Sequence, residues 1–353
     1  MKSPCTALAA IALAFTASQP AAAASDNVAP LLPLSLEELI ATPVITASRR
    51  QEGREQTPAH IMVITREQMR DRRYKNLADL LEDLPGVDFQ RGTRSAQYNN
   101  FAFQGHISNN KLLIMLDGVR IDHPAGGKLP IAENFGLYMA RQVEVLYGPA
   151  AALYGADAAA GVINIILKKG AEGGSAEASY GQFSEGDGTQ HKQSAHFGLP
   201  LSDSGWLRVA VEKREQNSTN RALPDFRNPA EPLYGKISQR FGDPDSDQES
   251  VFLNGQFAFN ADVEAYFFGN YTNRNTRSAG FYRPALDSRN IRSIYPNGYL
   301  PIEASNSIDQ AFVAGVRGVT DGGWRWDLSA NYGVNRYRLN IENSLNTSLG
   351  ASS

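Results

Sequence analysis

Two textures of hydrophobic patterning divide this chain near residue 170. Before that point apolar residues come in solid runs and helical stripes; after it they alternate with polar ones. His60-Ile61-Met62-Val63-Ile64, Gln142-Val143-Glu144-Val145-Leu146 and Val162-Ile163-Asn164-Ile165-Ile166 are runs of the first kind and predict buried strands. Lys111 to Leu116 is another, meeting the turn Asp117-Gly118 and returning through Val119-Arg120-Ile121 as a hairpin. Val87-Asp88-Phe89 and Phe101-Ala102-Phe103 are shorter alternations. Thr65 with Gln68 predicts a capping box opening one helix. A second helix starts near Asn76, where Leu77, Leu80, Leu81 and Leu84 form a single apolar stripe, and Pro85-Gly86 ends it. Residues 59–170 therefore read as an α+β domain with enough Leu, Ile and Val for its own core.

Beyond Gly170 the period is two. Trp324, Trp326, Leu328, Ala330, Tyr332 and Val334 alternate with Arg325, Asp327, Ser329, Asn331 and Asn335, and similar stretches run through Leu207, Val209 and Val211 and through Val251, Leu253, Phe257 and Phe259. About seven strands of roughly 9 to 15 residues are predicted, starting near 174, 190, 205, 250, 262, 307 and 323, a length suited to tilted membrane strands. Short turns at 200–205, 260–262 and 320–323 fall between connections at 184–189, 215–249 and 274–306, the last two long and polar. Tight turns at one end and long loops at the other mark antiparallel strands of a transmembrane β-barrel. A soluble sandwich shares the alternation but not that segregation.

Composition narrows the field. A net charge of −3, with Lys+Arg 34 against Asp+Glu 37, leaves no basic surplus for a nucleic-acid partner. After the N-terminus no run of about 20 apolar residues occurs, so no transmembrane helix is predicted. Lys2, the apolar core from Ala7 to Ala17 and the small residues Ala22-Ala23-Ala24 read as a signal peptide over residues 1–24. The single cysteine, Cys5, falls inside it, so the remaining chain has no disulfide or thiolate metal site. Residues 25–58 read as a linker: a mobile stretch from Ser25 to Leu34, a short helix capped by Ser35, and an extended run Val44-Ile45-Thr46 set off by Pro43. The lesser alternative for that run, by pattern alone, is the first strand of the core.

Three segments carry a resemblance to the TonB-dependent outer-membrane receptors. Thr42-Pro43-Val44-Ile45-Thr46-Ala47 is similar to the family's TonB box. Leu77 to Val87, Phe103-Gln104-Gly105 and Leu112 to Ile121 are similar to its plug helix, Arg-Gly strand and L-D-G turn. Val143 to Lys169 resembles its long G-P-x-x-x-L-Y-G…G-V-I-N-I signature. The family usually has arginine where this chain has Gln104 and Tyr147, so the resemblance carries the fold but not the plug–barrel lock those arginines suggest.

The resemblance implies a plug domain over 59–170 followed by the first strands of an incomplete outer-membrane barrel over 171–353. It also implies location in the outer membrane, TonB as a partner through Thr42 to Ala47, surrounding lipid, and uptake of a scarce small-molecule ligand such as an iron–siderophore chelate. Of the polar apical loops, Arg91 to Asn100 supplies Arg91, Arg94 and Tyr98 as ligand-binding candidates, through charge-assisted bonds and stacking. No catalytic motif, cofactor site or metal-ligand spacing is read; Asp243, Asp245, Asp247 and Glu249 fit a solvated acidic loop better than a calcium loop. Two alternatives stand beside transport. A signal-transducing receptor would need an extra N-terminal domain, whereas about 17 residues (25–41) precede the box. A truncated, non-transporting fragment follows from the strand count, since a plugged barrel takes about 22 strands.

Overall fold

The computed structural model describes residues 44–46, 60–90, 100–107, 112–121, 135–148 and 150–352. The signal peptide, the Ser35 helix, Thr42, Pro43, Ala47, Arg91, Arg94 and Tyr98 lie outside them.

The first domain is built on a five-stranded sheet in the order β1-β7-β8-β5-β6, formed by β1 (His60–Thr65), β7 (Ala140–Tyr147), β8 (Gly161–Leu167), β5 (Leu112–Leu116) and β6 (Val119–Arg120). Only β5 and β8 pair in parallel. Both are buried along their whole length, which explains why they read as unbroken apolar runs rather than alternations. β2 (Val87–Gln90), β3 (Asn100–Phe103) and β4 (His106–Ile107) form a separate small sheet.

Helix α1 (Arg66–Asp71) opens with the predicted box: Gln68 N–H donates to Thr65 Oγ1 at 3.3 Å, and Thr65 N–H donates to Gln68 Oε1 at 3.0 Å. Asn76 caps α2 (Leu77–Glu82) by accepting from Asp79 N–H at 3.0 Å. The stripe of Leu77, Leu80, Leu81 and Leu84 packs on one face of the sheet against Val143, Val145, Ile163, Ile165 and Leu167. The Asp117-Gly118 turn takes positive φ at both residues, and the Asp117 carboxylate accepts Leu167 N–H at 2.9 Å, tying the hairpin to β8.

The second part is one antiparallel meander of seven strands: β9 (Gly174–Gly181), β10 (Gln190–Ser202), β11 (Gly205–Gln216), β12 (Asp245–Ala258), β13 (Val263–Ala279), β14 (Ile302–Val319) and β15 (Arg325–Glu342). The sheet is open, with β9 and β15 at its edges. Two strands begin earlier than their alternation indicates: β12 at 245 rather than 250, and β14 at 302 rather than 307. Asp245 to Glu249 are polar on both faces, so no two-residue signal marks them, and Ile302 and Ala304 mark the start of β14 only faintly, although both ladders continue. The long connections shrink accordingly, to 217–244 and 280–301.

Which side is apolar separates the two β readings. Val211, Val251, Phe257, Phe267, Phe312, Leu328 and Tyr332 are exposed on one face. Arg208, Glu212, Gln248, Asn254, Thr272, Arg274, Ser305 and Ser307 are buried on the other. A soluble sandwich buries its apolar face; an apolar exterior around a polar interior is the pattern of a barrel wall in lipid. Among the described residues no helix is long and apolar enough to cross a membrane.

Candidate functional site

Residues 44–46 lie on the sheet face opposite the leucine stripe. Side chains alternate across a sheet, so Gln142 and Glu144 of β7 and Asn164 of β8 share this second face with Ile61, Val63, Leu146 and Val162. Val44 is 1% exposed and completes the apolar cluster there with Leu113, Met115, Ala150 and Ala158. Its burial contributes about 1.5–3 kcal/mol to keeping the segment in place. Val44 makes a single bridge and the chain turns at Thr46, so the run is not a strand of the core sheet.

The next two residues meet a polar slot cut into this apolar face. Glu144 is fully buried, and its Oε2 accepts Ile45 N–H at 3.0 Å, Thr46 N–H at 2.8 Å and Thr46 Oγ1–H at 2.5 Å. Its Oε1 accepts from Gln142 Nε2 at 2.8 Å. Asn164 Nδ2 donates to Thr46 Oγ1 at 3.1 Å, and the Tyr154 hydroxyl donates to the Thr46 carbonyl at 2.7 Å. A buried carboxylate is tolerated when its oxygens are satisfied this fully. Sequence reasoning selected Val44, Ile45 and Thr46 but missed Glu144, Gln142, Asn164 and Tyr154. The available signal was one acid and one amide, Glu144 and Asn164, each flanked by apolar residues in its strand and facing each other in register.

The plug meets the wall through polar contacts. Arg208 on β11, 4% exposed, donates from Nε and Nη2 to the Gly170 carbonyl at 3.2 and 3.0 Å and from Nη2 to the Glu172 carbonyl at 2.5 Å. Asn254 Nδ2 donates to the Lys168 carbonyl at 2.8 Å, and Arg66 pairs with Glu177 at 2.7 Å. Apolar Ala210, Phe252, Phe268 and Val313 of the wall join the leucine-stripe core directly. These contacts seat the domain although Gln104 and Tyr147 stand where arginines were expected.

Glu212 presses closest. Held by Lys192 at 3.4 Å and Arg214 at 3.0 Å, its carboxylate occupies the space a Cβ on Gly136 would need. Nearby Tyr138 has its phenol pushed above the ordinary range by burial, with Glu212 adding to it. Gly136→Val is expected to lower plug stability by about 1–3 kcal/mol through overpacking, read as an earlier thermal transition and faster proteolysis between 135 and 148.

At the junction, Lys168 Nζ lies 2.7 Å from His196 Nε2. Burial, reinforced by Arg66 and Arg208, pushes its ammonium down to about 8 from the usual 10.5. Between those values the unfolded chain binds more protons than the folded one, so Lys168 makes stability rise with pH across that window. Denaturant unfolding at pH 8 and pH 10 checks this: the rise is expected to be smaller in Lys168→Gln.

The long loops between wall strands are built rather than loose. Arg221 pairs with Asp187 at 2.6 Å and Glu185 at 3.2 Å, and Glu231 accepts the Ala285 and Leu286 amides at 2.8 and 3.2 Å, joining two loops. Arg227 holds the Asp225 carboxyl down at about 2, and Arg289 does the same to Asp287. Asp245 accepts Ser218 N–H at 2.8 Å and pairs with Arg240 at 3.3 Å, a loop-fastening role.

A compact domain seated on the polar face of an outward-apolar antiparallel wall is the architecture of part of a plugged outer-membrane β-barrel. Residues 54–162 match the family described as the TonB-dependent Receptor Plug Domain, so the first domain is a plug of that family. The chain is 31% identical over 222 residues to the vitamin B12 transporter BtuB of Vibrio vulnificus (strain CMCP6), a match covering 60% of this chain and 34% of that protein. The pyoverdine outer membrane receptor FpvA of Pseudomonas aeruginosa PAO1, solved with pyoverdine, superimposes with a TM-score of 0.61 at 16% identity, covering 87% of this chain and 42% of that one. The ferric enterobactin receptor PfeA of Pseudomonas aeruginosa, solved with enterobactin, gives 0.59 at 19% identity, covering 80% and 42%. The chain thus spans about a third of the curated relative it matches.

Proposed function

We propose that this chain serves TonB-dependent active transport of a scarce ligand across the outer membrane, with Thr42 to Ala47 as the TonB box. The outer membrane holds no ATP or ion gradient of use, so energy arrives through a protein partner. An extended segment offering main-chain hydrogen bonds is a fitting handle, because strand addition grips backbone and reads alternate side chains. The observation that carries the reading is the docking of residues 44–46: one valine side chain and a handful of hydrogen bonds hold them, few enough to break and remake. Arg91, Arg94 and Tyr98 are proposed to meet the ligand.

Two ligand classes are favoured by different observations. Solved receptors sharing this fold hold the siderophores enterobactin and pyoverdine, at identities where likeness speaks for fold alone. The sequence relative at 31% identity is named as a vitamin B12 transporter, which favours a cobalamin. Uptake of 55Fe-labelled siderophores and of labelled cyanocobalamin is the test, in cells with and without the gene, each with and without TonB. Uptake of one class that needs both gene and TonB supports transport and names the class. Equal uptake in all four strains removes the proposal.

A further inference from the structure

Ile45 and Thr46 turn two successive amide hydrogens toward a single oxygen, Glu144 Oε2. In a β-strand successive amides point to opposite edges, so one acceptor cannot serve both while the segment is straight. The docked segment is therefore bent at residues that strand addition requires extended. The bend is fixed by a charged acceptor, and hydrogen bonds to a carboxylate are about twice as strong as neutral ones. Among the described residues the other partner of this carboxylate is a neutral amide, Gln142, and the acid sits in the middle of β7 with no exposure.

We propose that Glu144 is the latch of the coupling segment: its carboxylate holds both N–H groups on one bent turn, an added TonB strand needs the same backbone straight with one of those N–H groups turned to it, and one excludes the other. The inference rests on the TonB-box reading and names the residue that regulates it. Undocking strips Oε2 of three donors at once, so the latch opens as a unit rather than bond by bond. Asn164 and Tyr154 act on the same turn from its other side, positioning Thr46 so that its hydroxyl and amide converge on the acid.

The test places a nitroxide at Ala47→Cys in the receptor, in isolated outer membranes with no ligand added. Glu144→Gln keeps the shape and removes the charge. It is expected to raise the mobile fraction of the label about tenfold and to tighten binding of a purified periplasmic fragment of TonB by a similar factor. Thr46→Val, which leaves the acid intact and removes one donor, is expected to move both readings the same way by less. It carries the test if Glu144→Gln does not assemble. A label as immobile in both variants as in the parent, with the plug equally protease-resistant, overturns the latch. A label freed in the variants without any gain in TonB binding keeps the latch and removes the TonB reading instead.

Discussion

Ile45→Pro is expected to abolish energised uptake and to leave ligand binding at the cell surface at its parental level. Proline carries no N–H, so the variant lacks a main-chain donor in the segment proposed to pair with TonB. It also deletes the 3.0 Å bond to Glu144, so the segment is held less firmly on the plug. The two losses separate docking from coupling. Glu144→Gln frees the segment and preserves its backbone, and its uptake is expected to persist. Ile45→Pro frees the segment and spoils its backbone, and its uptake is expected to fall to the background of cells lacking TonB. Ligand binding to whole cells, measured beside energised accumulation, checks both. Undiminished accumulation by the proline variant would end the assignment of residues 42–47.

Arg208→Ala is expected to loosen the joint between plug and wall by about 1.5–3 kcal/mol, because the Gly170 and Glu172 carbonyls lose a charged donor that is itself buried. Hydrogen exchange across 168–174 and plug release in denaturant report it. Arg208→Lys is expected to recover less than half, since an ammonium is a point charge and the planar fork reaches two carbonyls together. A joint as protected in Arg208→Ala as in the parent would assign the seating to the apolar contacts of Ala210, Phe252, Phe268 and Val313 alone.

Much of the architecture was readable because it depends on local chemistry. Thr65 with Gln68, Asn76 and the leucine stripe specify two helices through caps and spacing that act within a few residues. The wall strands announce themselves by period two wherever one side meets lipid, and the turns at 260–262 and 320–323 lie within one residue of where the pattern ends, while β10 runs on to Ser202 past the expected start of its turn at 200. The same logic fails at residues 245–249 and 302–306. At 245–249 both faces of the strand are polar, and at 302–306 only Ile302 and Ala304 mark one face, so the alternation is lost or faint while the backbone ladder runs on.

The candidate site was half visible for a related reason. Val44-Ile45-Thr46 stands out as an extended run beside a proline, but its partner is almost a hundred residues away, and Glu144 is set in a strand that otherwise reads as plain core. A buried acid in such a strand signals a need for donors without saying which segment supplies them. The sequence by itself determined the secondary elements, the apolar exterior and polar interior of the wall, and the family signature, since each is written in neighbouring residues. Only the tertiary structure decided that Thr46 closes on Glu144, that Gly136 must be small to clear Glu212, and that Arg208 holds the joint. Those contacts join distant parts of the chain, and their partners are chosen by topology, register and space rather than by local propensity.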